Sequence, residues 1–143
     1  MNYYIYCKDT KLSKAHQDAV KEYIKRLSAY CKVQLITGSK KTDFSHLSSA
    51  NHQVIFLEKG ISTYTSEAFA KEIQTMEASG RSNIHIYIGY DKDGLMSQLQ
   101  KKEITVNSMA ISNCDLSSAT LCVLFAEQLY RGYTILQGKT YHK

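Results

Sequence analysis

Residues 121–143 read LCVLFAEQLYRGYTILQGKTYHK, and the rest of the chain is organised around them. Apolar residues recur at Leu121, Leu124, Phe125, Leu129, Ile135 and Leu136, near the three-and-four spacing that lays one stripe of a helix against a core. The stretch is therefore expected to be a docking helix. Gly138 stands just beyond it, where a left-handed residue commonly ends a helix. Behind that glycine comes a polar tail, Lys139, Thr140, Tyr141, His142 and Lys143. It sets an aromatic hydroxyl, an imidazole and a terminal cation directly behind a buried element.

Upstream, short strand-like runs alternate with helical patterns. Residues 2–7 (NYYIYC) are rich in aromatic and β-branched side chains and read as a strand. Ser13 then caps a helix carrying Val20, Tyr23, Ile24, Leu27 and Tyr30. A strand at 33–37 follows, and residues 38–51 read as polar loop with a short helix near 44–47. Residues 53–58 (QVIFLE) form an apolar run of the kind buried in a parallel sheet. Thr65 or Ser66 caps a helix bearing Phe69, Ala70, Ile73 and Met76, which Gly80 ends. Residues 83–89 (NIHIYIG) place Ile84, Ile86 and Ile88 on one face of a strand and His85 and Tyr87 on the other. A turn at 91–94, a brief helix at 95–102 and a last strand at 104–111 lead through polar residues 112–118 into the final helix.

This alternation predicts an α/β fold, a single domain over 1–143 with a mainly parallel sheet covered by helices on both faces. Ligands of such sheets gather at the carboxyl ends of the strands. Residues 57–60, 89–94 and 106–113 therefore surround one candidate site. The chain contains no proline. It also lacks GxGxxG, GxxxxGK[ST] and GxSxG, so dinucleotide, nucleoside triphosphate and α/β-hydrolase readings have no motif. Residues 91–94 (DKDG) hint at a calcium loop, but Gly89 and Gln100 occupy its expected first and last ligand positions. Cys7, Cys31, Cys114 and Cys122 have neither metal-site spacing nor disulfide density, so no metal is expected and the thiols should be reduced and mostly buried.

No segment approaches the roughly 18 apolar residues of a membrane span, and no signal-peptide pattern opens the chain, so a cytoplasmic protein is expected. Its net charge of +5 is unevenly placed. Residues 1–41 hold nine Lys/Arg against three acids, a balance of +6, and the remainder balances at −1. Such a concentration suits a polyanion partner, because neutralised phosphates release counterions. It equally suits a helix with a lysine-rich solvated face.

The run Glu127-Gln128-Leu129-Tyr130-Arg131, then Gly138, then Tyr141-His142-Lys143, resembles the C-terminal signature of the bacterial 23S rRNA pseudouridine N3-methyltransferases, the RNA large-subunit methyltransferase H family. Weaker similarity covers the rest of the chain. The resemblance implies a SPOUT methyltransferase whose C-terminal half is tied in a trefoil knot around S-adenosylmethionine. It implies cofactor contacts at Leu57, Gly89, Val106, Asn107, Ser108, Met109, Ala110 and Ile111, many through main-chain groups. It further implies that His142, Tyr141 and Arg131 serve catalysis, that the enzyme is a homodimer whose tails complete each other's sites, and that the substrate is 23S rRNA in the ribosome. The reaction would move a methyl group to N3 of a pseudouridine. Deprotonating an imide whose pKa lies about two units above ambient costs roughly 2.7 kcal/mol, and His142 has the intrinsic pKa for a base.

The chain departs from the family pattern at Gly89-Tyr90, where Gly-Gly is usual, at Ser112-Asn113, where Pro-His is usual, and at Cys122, where arginine is usual. The spacer through Cys114, Asp115 and Leu116 is lengthened and the loop at 38–51 is shortened. These losses fall in cofactor and RNA regions, so an alternative is a knotted dimer that binds RNA or ribosomes without methyl transfer. An unrelated flavodoxin-like module is a third reading.

Overall fold

The computed structural model describes residues 1–9, 11–38 and 44–141. Among these residues the elements run β1 (Asn2–Cys7), α1 (Lys14–Leu27), β2 (Lys32–Thr37), β3 (His52–Leu57), α2 (Ser66–Ala78), β4 (Asn83–Ile88), α3 (Lys92–Lys101), β5 (Thr105–Met109) and α4 (Ser118–Leu136). The strands form one sheet in the order β2-β1-β4-β3-β5, with every neighbouring pair parallel. The α/β expectation holds. No helix of the described residues is long and apolar enough to cross a membrane.

The period-two alternation of the strands supplies two cores. Tyr3, Ile5, Cys7, Ile55, Leu57, Ile84, Ile86 and Ile88 face α1, α2 and α4. Val54, Phe56 and Tyr87 face the other way and pack with Phe44, Leu47, Leu99 and Ile104. Each helix begins on a side chain able to accept from exposed N–H groups: Ser13, Thr65, Asp91 and Ser117. Such caps contribute about 1 kcal/mol each.

The structure corrects several boundaries. α3 starts at Lys92 because the Asp91 carboxylate accepts from the Asp93 N–H, so Gly94 lies in its first turn and the expected turn at 91–94 is absent. The short helix near 44–47 is a single turn closed by the Leu47 N–H on the Phe44 carbonyl. The last strand is shorter than expected, ending at Met109. In α4 the buried stripe is Ala119, Cys122, Phe125, Leu129 and Tyr133, whereas Leu121, Leu124, Ile135 and Leu136 are only partly covered. This helix is apolar nearly all round, so the pattern alone did not choose its inner stripe.

Gly132 lets α4 approach α2 closely. A Cβ there would come within 2.5 Å of Ile73 Cδ1 and 3.6 Å of Ala70 Cα. Cys122, fully buried against β1, is core; a hydrogen bond between the two thiols lowers the Cys7 pKa and, with burial, raises that of Cys122. Cys7, Cys31 and Cys122 are buried and Cys114 is exposed, with all four thiols free.

His85, which the sequence left without a role, is 1% exposed on the second face. It stacks on Tyr4 at 4.8 Å and lies 2.9 Å from His52 Nδ1 and 3.1 Å from the Tyr6 hydroxyl. Burial, with the neighbouring His52 and His46, holds its pKa down to about 3 from 6.5.

Two predictions follow from this packing. Gly132→Leu should destabilise the protein by about 1–3 kcal/mol or more through overpacking, read from urea unfolding. The neutral form of His85 is favoured by folding, so its contribution is complete above the unfolded pKa near 6.5 and falls away as pH drops toward 3. His85→Phe keeps the stack without titrating, and it should flatten the decline of the melting temperature between those pH values.

Candidate active site

The parallel sheet brings the carboxyl ends of β4, β3 and β5 side by side. Leu57 pairs with Ile88 on one side and Met109 on the other, and the Glu58 N–H donates to the Met109 carbonyl at 2.9 Å. Just past these ends, a cleft of about 320 Å³ is lined by Leu57, Glu58, Lys59, Gly89 and Tyr90, and by Ser112, Cys114, Asp115, Leu116, Ser118 and Leu121 of the chain entering α4. A hollow of about 490 Å³ adjoins it over Gly60, Ile61, Ser108, Met109 and Ala110. Both fall in the size range of small-molecule sites.

Gly89 sits at φ +84°, in the left-handed region that favours glycine. A Cβ there would run into the Ser118 hydroxyl, so the main chain approaches the start of α4 closely. Gly60 permits a similarly close approach, since its Cβ would lie 2.8 Å from Ala110 Cβ. Tyr90 packs its ring edge-on against Tyr87 at 5.3 Å, which ties the aromatic to the α3 side of the sheet.

Of the positions singled out from sequence, Leu57, Gly89, Ser108, Met109 and Ala110 line the two hollows. Val106 packs instead with the α3-side core. Asn107 pairs in register with Ile55 and is exposed on the edge strand β5, and Ile111 packs against the other core.

A second cluster forms at the far end of α4. Arg131 donates to Glu127 Oε1 through Nη2 at 2.6 Å and Nε at 2.9 Å. The same carboxylate oxygen accepts from the Tyr141 hydroxyl at 3.2 Å, and the guanidinium lies 5.1 Å from that ring's centroid. Tyr141 also meets Tyr130 at 4.8 Å and Tyr23 through the hydroxyls. Burial and the adjoining Tyr23 and Glu127 raise its phenol pKa well above the ordinary range. At neutral pH it is a hydrogen-bond donor and not a base. His142 lies outside the described residues.

The two clusters do not meet within the chain. Ser118 touches the Gly89 wall, and Arg131 stands thirteen residues further along an unbroken helix, about 20 Å at 1.5 Å per residue. Between them, Thr120, Val123 and Leu124 of α4 and Ala15, His16 and Ala19 of α1 line an apolar groove. Sequence reasoning placed Lys59 in a loop of the candidate site, Asp115 in the lengthened spacer and Glu127 in the C-terminal signature, but gave none of them a role of its own. Lys59 and Asp115 carry no local signal, because only the fold brings them together, whereas Glu127 meets Arg131 at the i, i+4 spacing of one helix.

A family model described as "Predicted SPOUT methyltransferase" matches residues 1–142. The chain belongs to the SPOUT methyltransferase family. It is 31% identical to "Ribosomal RNA large subunit methyltransferase H 1" of Thermoanaerobacter sp., with all of both chains covered. It is 30% identical to "Ribosomal RNA large subunit methyltransferase H" of Exiguobacterium sp., over 89% of this chain and 90% of that one. Among solved structures, a probable methylase family protein from Haemophilus influenzae Rd KW20 matches at 13% identity and a TM-score of 0.49, over 99% of this chain and 70% of that one.

Glu127 holds the tail by accepting from both Arg131 and Tyr141. Glu127→Ala should therefore loosen residues 137–141, seen as faster trypsin cleavage at Lys139 and lower amide protection there, with the global melt little changed.

Proposed function

We infer that this methyltransferase is a homodimer that transfers the methyl group of S-adenosylmethionine to N3 of a pseudouridine in 23S rRNA of the ribosome, in the cytoplasm. The observation that carries the dimeric site is the separation of about 20 Å between the cleft and the Arg131-Tyr141 cluster. A twofold axis crossing α4 at Leu124, midway between Ser118 and Arg131, lays the partner's Arg131 beside the cleft. Leu124 and Val123 are partly exposed in an apolar groove, as a self-complementary contact requires. The names of the relatives support rRNA as substrate, and the balance of +6 over residues 1–41 suits it.

The residues present fit the cofactor. The glycines at 60 and 89 let the strand ends pack directly on Ala110 and Ser118, where any Cβ would clash, and the hollows beside them are of a size to take an adenosine. Leu57, Gly89, Met109 and Ala110 would hold it, with Ser108 at the edge. Bound S-adenosylmethionine supplies an electrophilic methyl group on its sulfonium. The chain's own part is alignment and management of the N3 proton. Arg131, fixed by Glu127, offers a cation to the RNA backbone. Tyr141, kept protonated, offers a ring for stacking and a hydroxyl as donor. His142 is the candidate base.

The trefoil knot belongs to the same proposal. Its support is that β5 lies at the sheet edge while α4 returns to the centre between α1 and α2. The Gly60 N–H donates to the Ser112 carbonyl, so the connection into α4 runs against the segment that leaves β3, which suits such a knot.

The deciding experiment is transfer of labelled methyl from S-adenosylmethionine to ribosomes lacking the modification, with mapping of the labelled nucleotide. Label at a pseudouridine is expected; a folded dimer that leaves no label would overturn the enzymatic reading in favour of an RNA-binding dimer. Mixing Gly89→Val with Arg131→Ala subunits, each inactive alone, should restore roughly a quarter of wild-type activity, since half the dimers then own one intact site. Deleting residues 141–143 should abolish transfer while cofactor affinity and the dimer persist.

A further inference from the structure

The rim of the cleft carries a pairing that the fold does not need. Lys59 Nζ and Asp115 Oδ1 lie 3.0 Å apart, with side chains 56% and 89% exposed. Lys59 follows β3 directly, and Asp115 stands in the connection between β5 and α4, so the pair bridges the two segments that border the cleft. Ion pairs this exposed contribute about 0–1 kcal/mol, so breaking this one costs little. Glu58, the third charged residue on the lining, adds a second carboxylate on the Asp115 side of the charge balance.

Resting on the reading of this cleft as the cofactor site, we propose that Lys59 and Asp115 form the subsite for the amino-acid end of S-adenosylmethionine and exchange their mutual ion pair for its carboxylate and ammonium. The chemistry matches at both poles. The inner wall of Leu57, Gly89 and Leu121 is apolar or main chain and suits the nucleoside part, whereas a free zwitterion needs one cation and one anion at hydrogen-bonding range. These are the charges the rim carries, on two connections that the empty pair already holds together. The ligand's two charges replace the pair without leaving either side chain unpartnered, so the exchange leaves the net charge contributed by the pair unchanged. Lys59 and Asp115 thereby favour ligands with an intact amino acid over truncated nucleosides.

The test compares S-adenosylhomocysteine, which has the amino-acid end, with 5′-methylthioadenosine, which lacks it, by calorimetric titration of the full chain. Wild-type protein should bind the first more tightly, with an affinity that falls as salt rises. Lys59→Met and Asp115→Asn should each weaken S-adenosylhomocysteine about tenfold, or 1.4 kcal/mol, and leave methylthioadenosine within about twofold. If both variants bind both ligands as wild type does, or lose both equally, the subsite is wrong while the cleft reading stands. If wild-type protein binds neither ligand, the cleft reading fails and takes the subsite with it.

Discussion

The inner stripe of α4, from Ala119 through Phe125 to Tyr133, lies between α1 and α2 and closes the core over β1 and β4. The large apolar side chains on that face of the sheet, Tyr3, Ile5, Ile84 and Ile86, are 0–1% exposed, so the layer depends on this helix. At roughly 1.5–3 kcal/mol for each large side chain fully buried, Phe125 and Leu129 alone outweigh any polar contact in the molecule. The placement of α4 also sets the site. Its first residue seals the Gly89 wall, and its far end carries Arg131 away from it. One helix thus builds the cleft and separates the cleft from its catalytic candidates.

Much of the fold was legible because the strands declare themselves by composition. The runs at 2–7, 53–58 and 83–89 are short, β-branched or aromatic, and spaced by capped helices, which leaves a parallel sheet as the economical arrangement. What failed was local. Asp91 capped a helix where an Asp-Gly pair suggested a turn, because a side-chain acceptor at the N-terminus outweighs one glycine inside the first turn. The inner face of α4 was misassigned in part, since Leu124 and Ile135, which stay outside the core, are as apolar as the residues that point inward. A helix with two apolar stripes looks like a helix with one wide stripe until the sheet is in place.

The site was legible to the extent that strand ends dictate it. Leu57, Gly89 and Met109 converge because parallel strands end together, a consequence of topology that needs no motif. Val106 was carried over from the resemblance and turns instead into the α3-side core, as period-two alternation requires once Met109 points the other way. The links from Glu127 to Tyr141 and from Lys59 to Asp115 were invisible. Their partners are fourteen and fifty-six residues apart, and only the fold brings such residues together.

The place of α4 in the chain has a consequence for biosynthesis. It is made after all five strands, and its 19 residues take roughly one to four seconds at about 5–20 residues per second. Until α4 docks, the strands already free to pair would present Tyr3, Ile5, Ile84 and Ile86 without their cover, an apolar surface open to association with other nascent chains. The unpaired edges of β2 and β5 add to the exposure. Slow synthesis of α4, or scarcity of a chaperone that shields such surfaces, would therefore lower soluble yield without altering a single native contact.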